Sequence, residues 1–213
     1  MKVSANGLAI IKAFESCLRN IGVGKFKAYI DPVGVLTIGW GHTNHHEPKF
    51  SAGTVWTQAQ CDAALAGDMA TFEEYVSRLA KVPLKQNEFD ALVSWAFNTG
   101  GPKTATLWKR LNAGDKSAIP RELAKWNRGG GRELPGLTRR RKAEGEMFAG
   151  DIAAAFRTAQ IKSRPVVFDN SEPVSQPPRE PEPNPVPQAQ PEKASIASII
   201  ISIIAKLFGS KTP

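Results

Sequence analysis

With only two cysteines and three histidines in 213 residues, the chain has little material for a metal centre or a disulfide framework. Cys17 and Cys61 lie far apart and have no metal-ligand spacing. They read as buried thiols of a protein made in a reducing compartment. The sharper alternative is a bond formed later, with Cys17 close enough to Glu15 for such a bond to matter there. His45 and His46 are adjacent in a loop with no matching Cys or Asp partner, so they read as polar surface. No metal and no cofactor are expected. No Lys/Arg run is interleaved with aromatics, and this excludes the usual nucleic-acid modules. The one basic run is Arg139-Arg140-Arg141-Lys142. Met1 to Phe14 has no long apolar stretch followed by a small-residue cleavage site, so no signal peptide is expected.

The net charge of +8 is unevenly spread. Residues 1–162 carry 23 Lys+Arg and 15 Asp+Glu, whereas residues 163–213 carry five of each. The basic part is therefore the part with globular composition. Such a surface suits an anionic polymer or anionic lipid, or serves solubility alone.

Ser163 to Lys193 holds nine of the sixteen prolines and almost no large apolar residues. It cannot bury enough surface to fold and reads as a disordered, semi-extended linker. Residues 194–208 then form an apolar helix with one polar stripe, Ser195, Ser198, Ser202 and Lys206. Fifteen residues span roughly 22 Å as a helix, short of the about 30 Å hydrocarbon core. The tail therefore suits an anionic membrane interface better than a span. Docking on the domain, self-association and isoleucine-driven aggregation are the alternatives. The expected division is a domain at 1–162, a linker at 163–193 and an apolar tail at 194–213.

Within the domain, apolar spacing predicts a helix over Asn6–Leu18, capped by Asn6, with Leu8, Ile11 and Phe14 inward. Thr43 to Val55 reads as an irregular loop. Thr57-Gln58-Ala59-Gln60 is a capping box opening a helix to about Ala80, with a possible break at Gly67. Leu84–Gly100 is a core helix stopped by Gly100-Gly101-Pro102. Shorter helices follow at Thr104–Asn112 and Ser117–Trp126, with Trp126 in the core. Gly129–Gly131 is a loop, and a last helix runs from Gly136 to about Phe148.

The chemistry concentrates in residues 28–43 and Glu15. Pro32 and the glycines of Ala28–Thr43 break a helix, while Tyr, Val, Ile, Thr and Trp favour strands. A twisted hairpin results, and the six-residue separation of Asp31 and Thr37 lets an acid and a hydroxyl meet across its turn. Glu15 is the one acid among residues 1–30. It sits near the C-terminal end of the first helix, where the helix dipole opposes a carboxylate and raises a carboxyl pKa. An acid, a second carboxylate and a water-holding hydroxyl are the minimal parts for hydrolysing a glycosidic bond.

Phe14-Glu15, followed by Tyr29-Ile30-Asp31, Gly34, Thr37-Ile38-Gly39 and Gly41-His42, resembles the fingerprint of the phage-type lysozymes, glycoside hydrolase family 24, the family of the T-even phage lysozyme. A second block, Gln86-Asn87, Asp90-Ala91-Leu92, Ser94, Phe97-Asn98 and Gly100, resembles the same family, as does Gly136-Leu137 with Arg140-Arg141. The Leu18–Phe26 connection is longer than the family usually has, and the resemblance stops near residue 160. It implies an α+β fold, mainly helical and lysozyme-like, with a small β-hairpin lobe. It implies an endolysin that cleaves the β-1,4 bond between N-acetylmuramic acid and N-acetylglucosamine in peptidoglycan, with inversion. Glu15 would donate the proton, and Asp31 with Thr37 would hold the attacking water. Thr43, Phe97, Asn98 and Thr106 would contact substrate. Phe97 suits a sugar's apolar face and Asn98 its N-acetyl group. His42 would be structural. One or two of the three arginines would pair with acids, and the others would line a positive cleft edge. The resemblance also implies a monomer, made in the host cytoplasm, acting at the wall in the periplasm and let through by a holin. The alternatives are a lytic transglycosylase, which needs no water-holding pair, and a membrane-active protein that uses the domain only to bind wall.

Overall fold

In the computed structural model, residues 1–15, 21–31 and 34–167 are described. Cys17, most of the proline-rich linker and the whole apolar tail lie outside them, as do the expectations placed on those segments. Among the described residues no helix is long and apolar enough to cross a membrane.

The first helix, α1, spans Ala5–Phe14. Its cap is Ser4, whose hydroxyl accepts from the Gly7 N–H. Asn6, expected as the cap, is instead buried inside the first turn, and its amide brackets the backbone of Val166 at 2.7 and 2.8 Å. The small cap oxygen at Ser4 frees that amide for a long-range contact. The helix stops at Phe14 because Glu15 turns to an extended conformation (φ −96°, ψ 136°).

The expected hairpin is a three-stranded antiparallel sheet: β2 (Tyr29–Ile30), β3 (Leu36–Ile38) and β4 (His42–Thr43). Tyr29 and Thr43 flank Thr37 on either side. A separate ribbon pairs β1 (Lys25–Lys27) with β5 (Val55–Thr57), bringing Phe26 opposite Trp56. Phe26, Ala28, Ile38, Trp56, Cys61 and Ala64 form the core of this lobe. Gly39 has a positive φ of 62°, and a Cβ there would lie 2.8 Å from Cys61 Sγ. Any side chain at this turn would be both strained and crowded.

The long helix α2, Gln58–Leu79, leaves the β lobe through the expected capping box of Thr57 and Gln60. It runs unbroken past Gly67 into the helical lobe. There α3 (Gln86–Thr99) is buried on nearly every side and ends in left-handed Gly100. Against it pack α1, α2 and α6 (Pro135–Phe148); α5 (Ile119–Ala124), preceded by a 3₁₀ turn at Lys116–Ala118, packs on α6 and on α4 (Thr106–Asn112), and α7 (Ile152–Thr158) packs on α6. Trp126, half-buried, meets Trp95 edge-on at 5.4 Å. The Gly129–Gly131 loop is the turn of a small hairpin, β6 (Arg128–Gly129) with β7 (Arg132–Glu133). Gly130 and Gly131 both have positive φ, which suits the right-handed twist of paired strands. Trp40 packs against the cores of both lobes and so joins them.

His42 also ties the lobes. Its buried ring puts Nδ1 at 3.0 Å from Asp68 on α2 and Nε2 at 3.0 Å from the Pro48 carbonyl. Both neighbours are acceptors, so both ring nitrogens must donate and the imidazolium is the fitting form. Burial lowers the His42 pKa, but the Asp68 hydrogen bond and charge outweigh it and leave the value above 6.5. A raised folded-state pKa stabilises the fold fully below the unfolded value. The contribution is lost as pH rises through the folded value. Asp68→Asn should therefore cost about 1–3 kcal/mol near pH 5.5 and less at pH 9. Denaturant unfolding at the two pH values measures this, and a pH-independent cost would mean that His42 is not charged in the fold.

Candidate active site

Glu15 emerges from the end of α1 into a buried ionic cluster. Its Oε1 accepts from Arg140 Nη1 at 2.6 Å, and its side chain is 7% exposed. Arg140, 2% exposed, also donates through Nε to Glu144 Oε1 at 3.1 Å and through Nη2 to the Ser94 carbonyl at 3.3 Å. The Ser94 hydroxyl donates to the same Glu144 oxygen at 2.7 Å. Glu144 Oε2 lies 3.2 Å from Arg141 Nε, and Arg141 Nη2 donates to Asn98 Oδ1 at 2.6 Å. One cluster thus joins α1, α3 and α6.

Its electrostatics follow from burial opposed by charge. Burial works against the Arg140 cation, but Glu15 and Glu144 override it and hold its pKa above the usual arginine value. Arg141 is lowered to about 10 by burial, which the attraction of Glu144 only partly offsets. It remains a cation at neutral pH. Of the three arginines, two pair with acids as expected. The third, Arg139, is exposed, 5.6 Å above the Phe14 ring. Arg139, Thr138 and Lys142 border an open depression of about 580 Å³.

Asp31 closes the turn between β2 and β3. Its Oδ1 accepts from the Val35 N–H at 2.8 Å, while its own N–H donates to the Val35 carbonyl at 2.9 Å. Thr37 donates its hydroxyl to that same carbonyl at 3.1 Å. Register puts Leu36 opposite Ile30, so Asp31 falls opposite Val35, diagonal to Thr37. The two are joined through Val35. Thr43 stands beside Thr37 on β4, its buried hydroxyl without a hydrogen-bond partner among the described residues.

The remaining candidates differ in exposure. Phe97 is buried edge-on against Phe72 at 5.3 Å. Asn98 is 1% exposed. Because an arginine only donates, the bond from Arg141 fixes the Asn98 amide with its oxygen toward the guanidinium. Its Nδ2 is left without a partner among the described residues. Thr106 is exposed, beside a depression of about 370 Å³ that it shares with Glu122, Lys125 and Trp126. That depression does not include Glu15, Asp31 or Thr37. Sequence reasoning named Ser94 only as part of a motif and gave neither it nor Glu144 a role in the site. The four-residue spacing of Arg140 and Glu144 on one helix was the available signal.

The family model described as phage lysozyme matches residues 12–144, a span that begins just before Glu15 and ends at Glu144. The chain belongs to the phage lysozyme family. It is 38% identical over 154 residues to an endolysin of Acyrthosiphon pisum secondary endosymbiont phage 1, covering 70% of this chain and 98% of that relative. It is 42% identical over 159 residues to an endolysin of Lactococcus phage c2, covering 72% and 63%. Among solved structures, the endolysin from Escherichia coli O157:H7 phage FAHEc1 superposes with a TM-score of 0.59 at 34% identity, covering 70% and 93%. The α+β lysozyme fold and a lysozyme-type hydrolase activity, that of an endolysin lysing peptidoglycan at the cell wall, follow from this membership.

In this lysozyme the ionic cluster should be worth far more than the exposed arginine beside it. Arg140→Met leaves Glu15 and Glu144 buried without their shared cation and should cost about 3–5 kcal/mol. Arg139→Met removes a surface contact with Phe14 and should cost at most about 1 kcal/mol. Urea unfolding of both variants at pH 7 decides it. Similar losses would mean that Glu15 and Glu144 find other partners.

Proposed function

We propose that this lysozyme cleaves the β-1,4 bond between N-acetylmuramic acid and N-acetylglucosamine, with Glu15 as proton donor and Asp31 with Thr37 directing water. The observation that carries the reading is the pairing of two carboxylate sites of different surroundings. Glu15 is held in a buried ionic cluster, and Asp31 and Thr37 are joined through Val35 on the sheet of the β lobe. The Glu15 carboxyl protonates the glycosidic oxygen as the bond to the anomeric carbon breaks. Water attacks that carbon from the opposite face and yields its proton to Asp31, giving inversion. Arg140 then stabilises the Glu15 carboxylate that proton donation creates. Thr43, next to Thr37, offers a buried hydroxyl to sugar or water. Asn98, joined to the Glu15 cluster through Arg141, its neighbour Phe97 and the exposed Thr106 on α4 are the further substrate contacts of this reading.

The water-directing pair favours hydrolysis over lytic transglycosylation, whose product is an anhydro sugar formed without water. The same proposal includes synthesis in the host cytoplasm and passage to the periplasm through a holin. It also has residues 194–208 engaging anionic membrane. Deleting residues 194–213 should then leave hydrolysis of soluble peptidoglycan unchanged and weaken co-sedimentation with anionic vesicles. Undiminished vesicle binding would leave docking or self-association as the tail's role.

Glu15→Gln keeps the shape and loses the proton. It should lower turnover about 10²–10⁴-fold, and a variant keeping more than a tenth of the wild-type rate would remove Glu15 from this role. Asp31→Asn and Thr37→Ala should each slow hydrolysis, and the double variant should lose less than the product of the singles, since both act on one water. Strictly multiplicative losses would separate the two residues. Mass analysis of the digests should find reducing sugars carrying one added water; anhydro products would support the transglycosylase reading instead.

A further inference from the structure

Glu15 as proton donor, the reading on which this inference rests, meets a conflict inside the cluster. A guanidinium 2.6 Å from a carboxyl group favours its ionised form. A general acid, however, must carry its proton when substrate is bound. The counterweight is on the next turn of α6. Arg140 is shared: while Nη1 serves Glu15, Nε serves Glu144, which is fully buried. We propose that Glu144 is a positioning residue for the reaction, dividing Arg140 with Glu15 and so setting the pH above which the enzyme loses its proton donor.

Three features support the division. Two acids and two arginines make the cluster neutral overall, so neutralising Glu144 would leave one excess positive charge beside Glu15. In a buried site such a charge is little screened by solvent. Ser94 donates its hydroxyl to the same Glu144 oxygen that Arg140 Nε uses, and this competition limits how strongly Glu144 draws Arg140. Glu144 accepts a hydrogen bond from Arg140 on Oε1 and has an ion-pair contact with Arg141 at 3.2 Å on Oε2, so its hydrogen-bonded link toward Glu15 runs through Arg140.

Other charged groups on the elements packed around the pair are engaged elsewhere or exposed. On α1, Lys12 pairs with Asp62. On α3, Asp90 is bound by Ser4 and Gln86, and Glu88 by Lys116; Ser94 and Asn98 are neutral. On α5, Glu122 pairs with Lys125 and Arg121 is exposed. On α6, Arg139 is exposed over Phe14, and on α7, Arg157 is exposed.

The test is the pH dependence of kcat and KM on soluble peptidoglycan fragments between about pH 4 and 9. Glu144→Gln retains an acceptor for Ser94 and Arg140 and loses the charge. Its alkaline fall in kcat should move to lower pH by about one unit, a loss of about tenfold on that limb, with KM little changed. Glu144→Asp restores the charge and should return the limb toward its wild-type position. Ser94→Ala frees Glu144 to draw Arg140 harder and should move the limb the other way by a smaller amount. A uniform loss at all pH values with an unmoved limb, or a rise in KM with kcat kept, would overturn the proposal and leave Glu144 a merely structural group. If Glu144→Gln shows no cooperative thermal melt, Ser94→Ala decides alone: an upward shift supports the division and an unmoved limb overturns it. Glu15→Gln is the separate control. Retained activity there sinks the donor assignment whatever the Glu144 variants do.

Discussion

A single buried guanidinium organises this molecule. Arg140 reaches from α6 to the end of α1 and to the backbone of α3, and each contact is made through a different nitrogen. Desolvating a cation costs several kcal/mol, which only close and well-directed acids offset. Glu15 and Glu144 meet that condition, and they fix the relative placement of three helices as a consequence. Glu15 leaves the helical conformation at the end of α1 and pairs with Arg140 there. Stability of the helical lobe and orientation of the candidate proton donor therefore depend on one set of bonds.

The β lobe is held by different physics. Its own core is small, and its outward connections are few and specific. Trp40 contributes apolar contact to both cores, with its indole N–H on Asp62 at 2.7 Å. His42 ties β4 to α2 through Asp68 and to the Pro48 loop through its other nitrogen. Thr37 is the middle residue of the sheet so anchored. These bonds, together with the unbroken α2, connect the sheet that carries Asp31 and Thr37 to the helical lobe. Protonation of His42, favoured by Asp68, makes this tether pH-sensitive, whereas Arg140 and Arg141 stay cationic at neutral pH.

The phage lysozyme family was legible in the sequence because its motifs lie in short, locally constrained stretches. The turn at Gly34, the capping box at Thr57–Gln60 and the stop at Gly100 each depend on residues within a few positions of one another. Misjudgements arose where two local candidates competed or where a distant partner intervened. Asn6 is as good a cap residue as Ser4, but its amide is engaged with Val166, 160 positions away. The glycines at 130 and 131 read as an open loop, since strands of two residues carry no detectable alternation.

The sequence by itself determined the residue types and spacing of the candidate chemistry: Glu15 after an amphipathic helix, Asp31 six residues before Thr37, and an arginine run on a late helix. Periodicity, turn residues and caps are properties of neighbouring side chains and backbone, so they are written locally. The tertiary structure decided which charges meet. Arg140 and Glu15 are 125 positions apart, and Ser94 and Glu144 are 50 apart. Nothing within a few residues of either specifies the encounter. It exists because apolar packing of α1, α3 and α6 brings those positions together and excludes water. Buried charges must then find one another, and this decides which arginine serves the acid and which faces solvent.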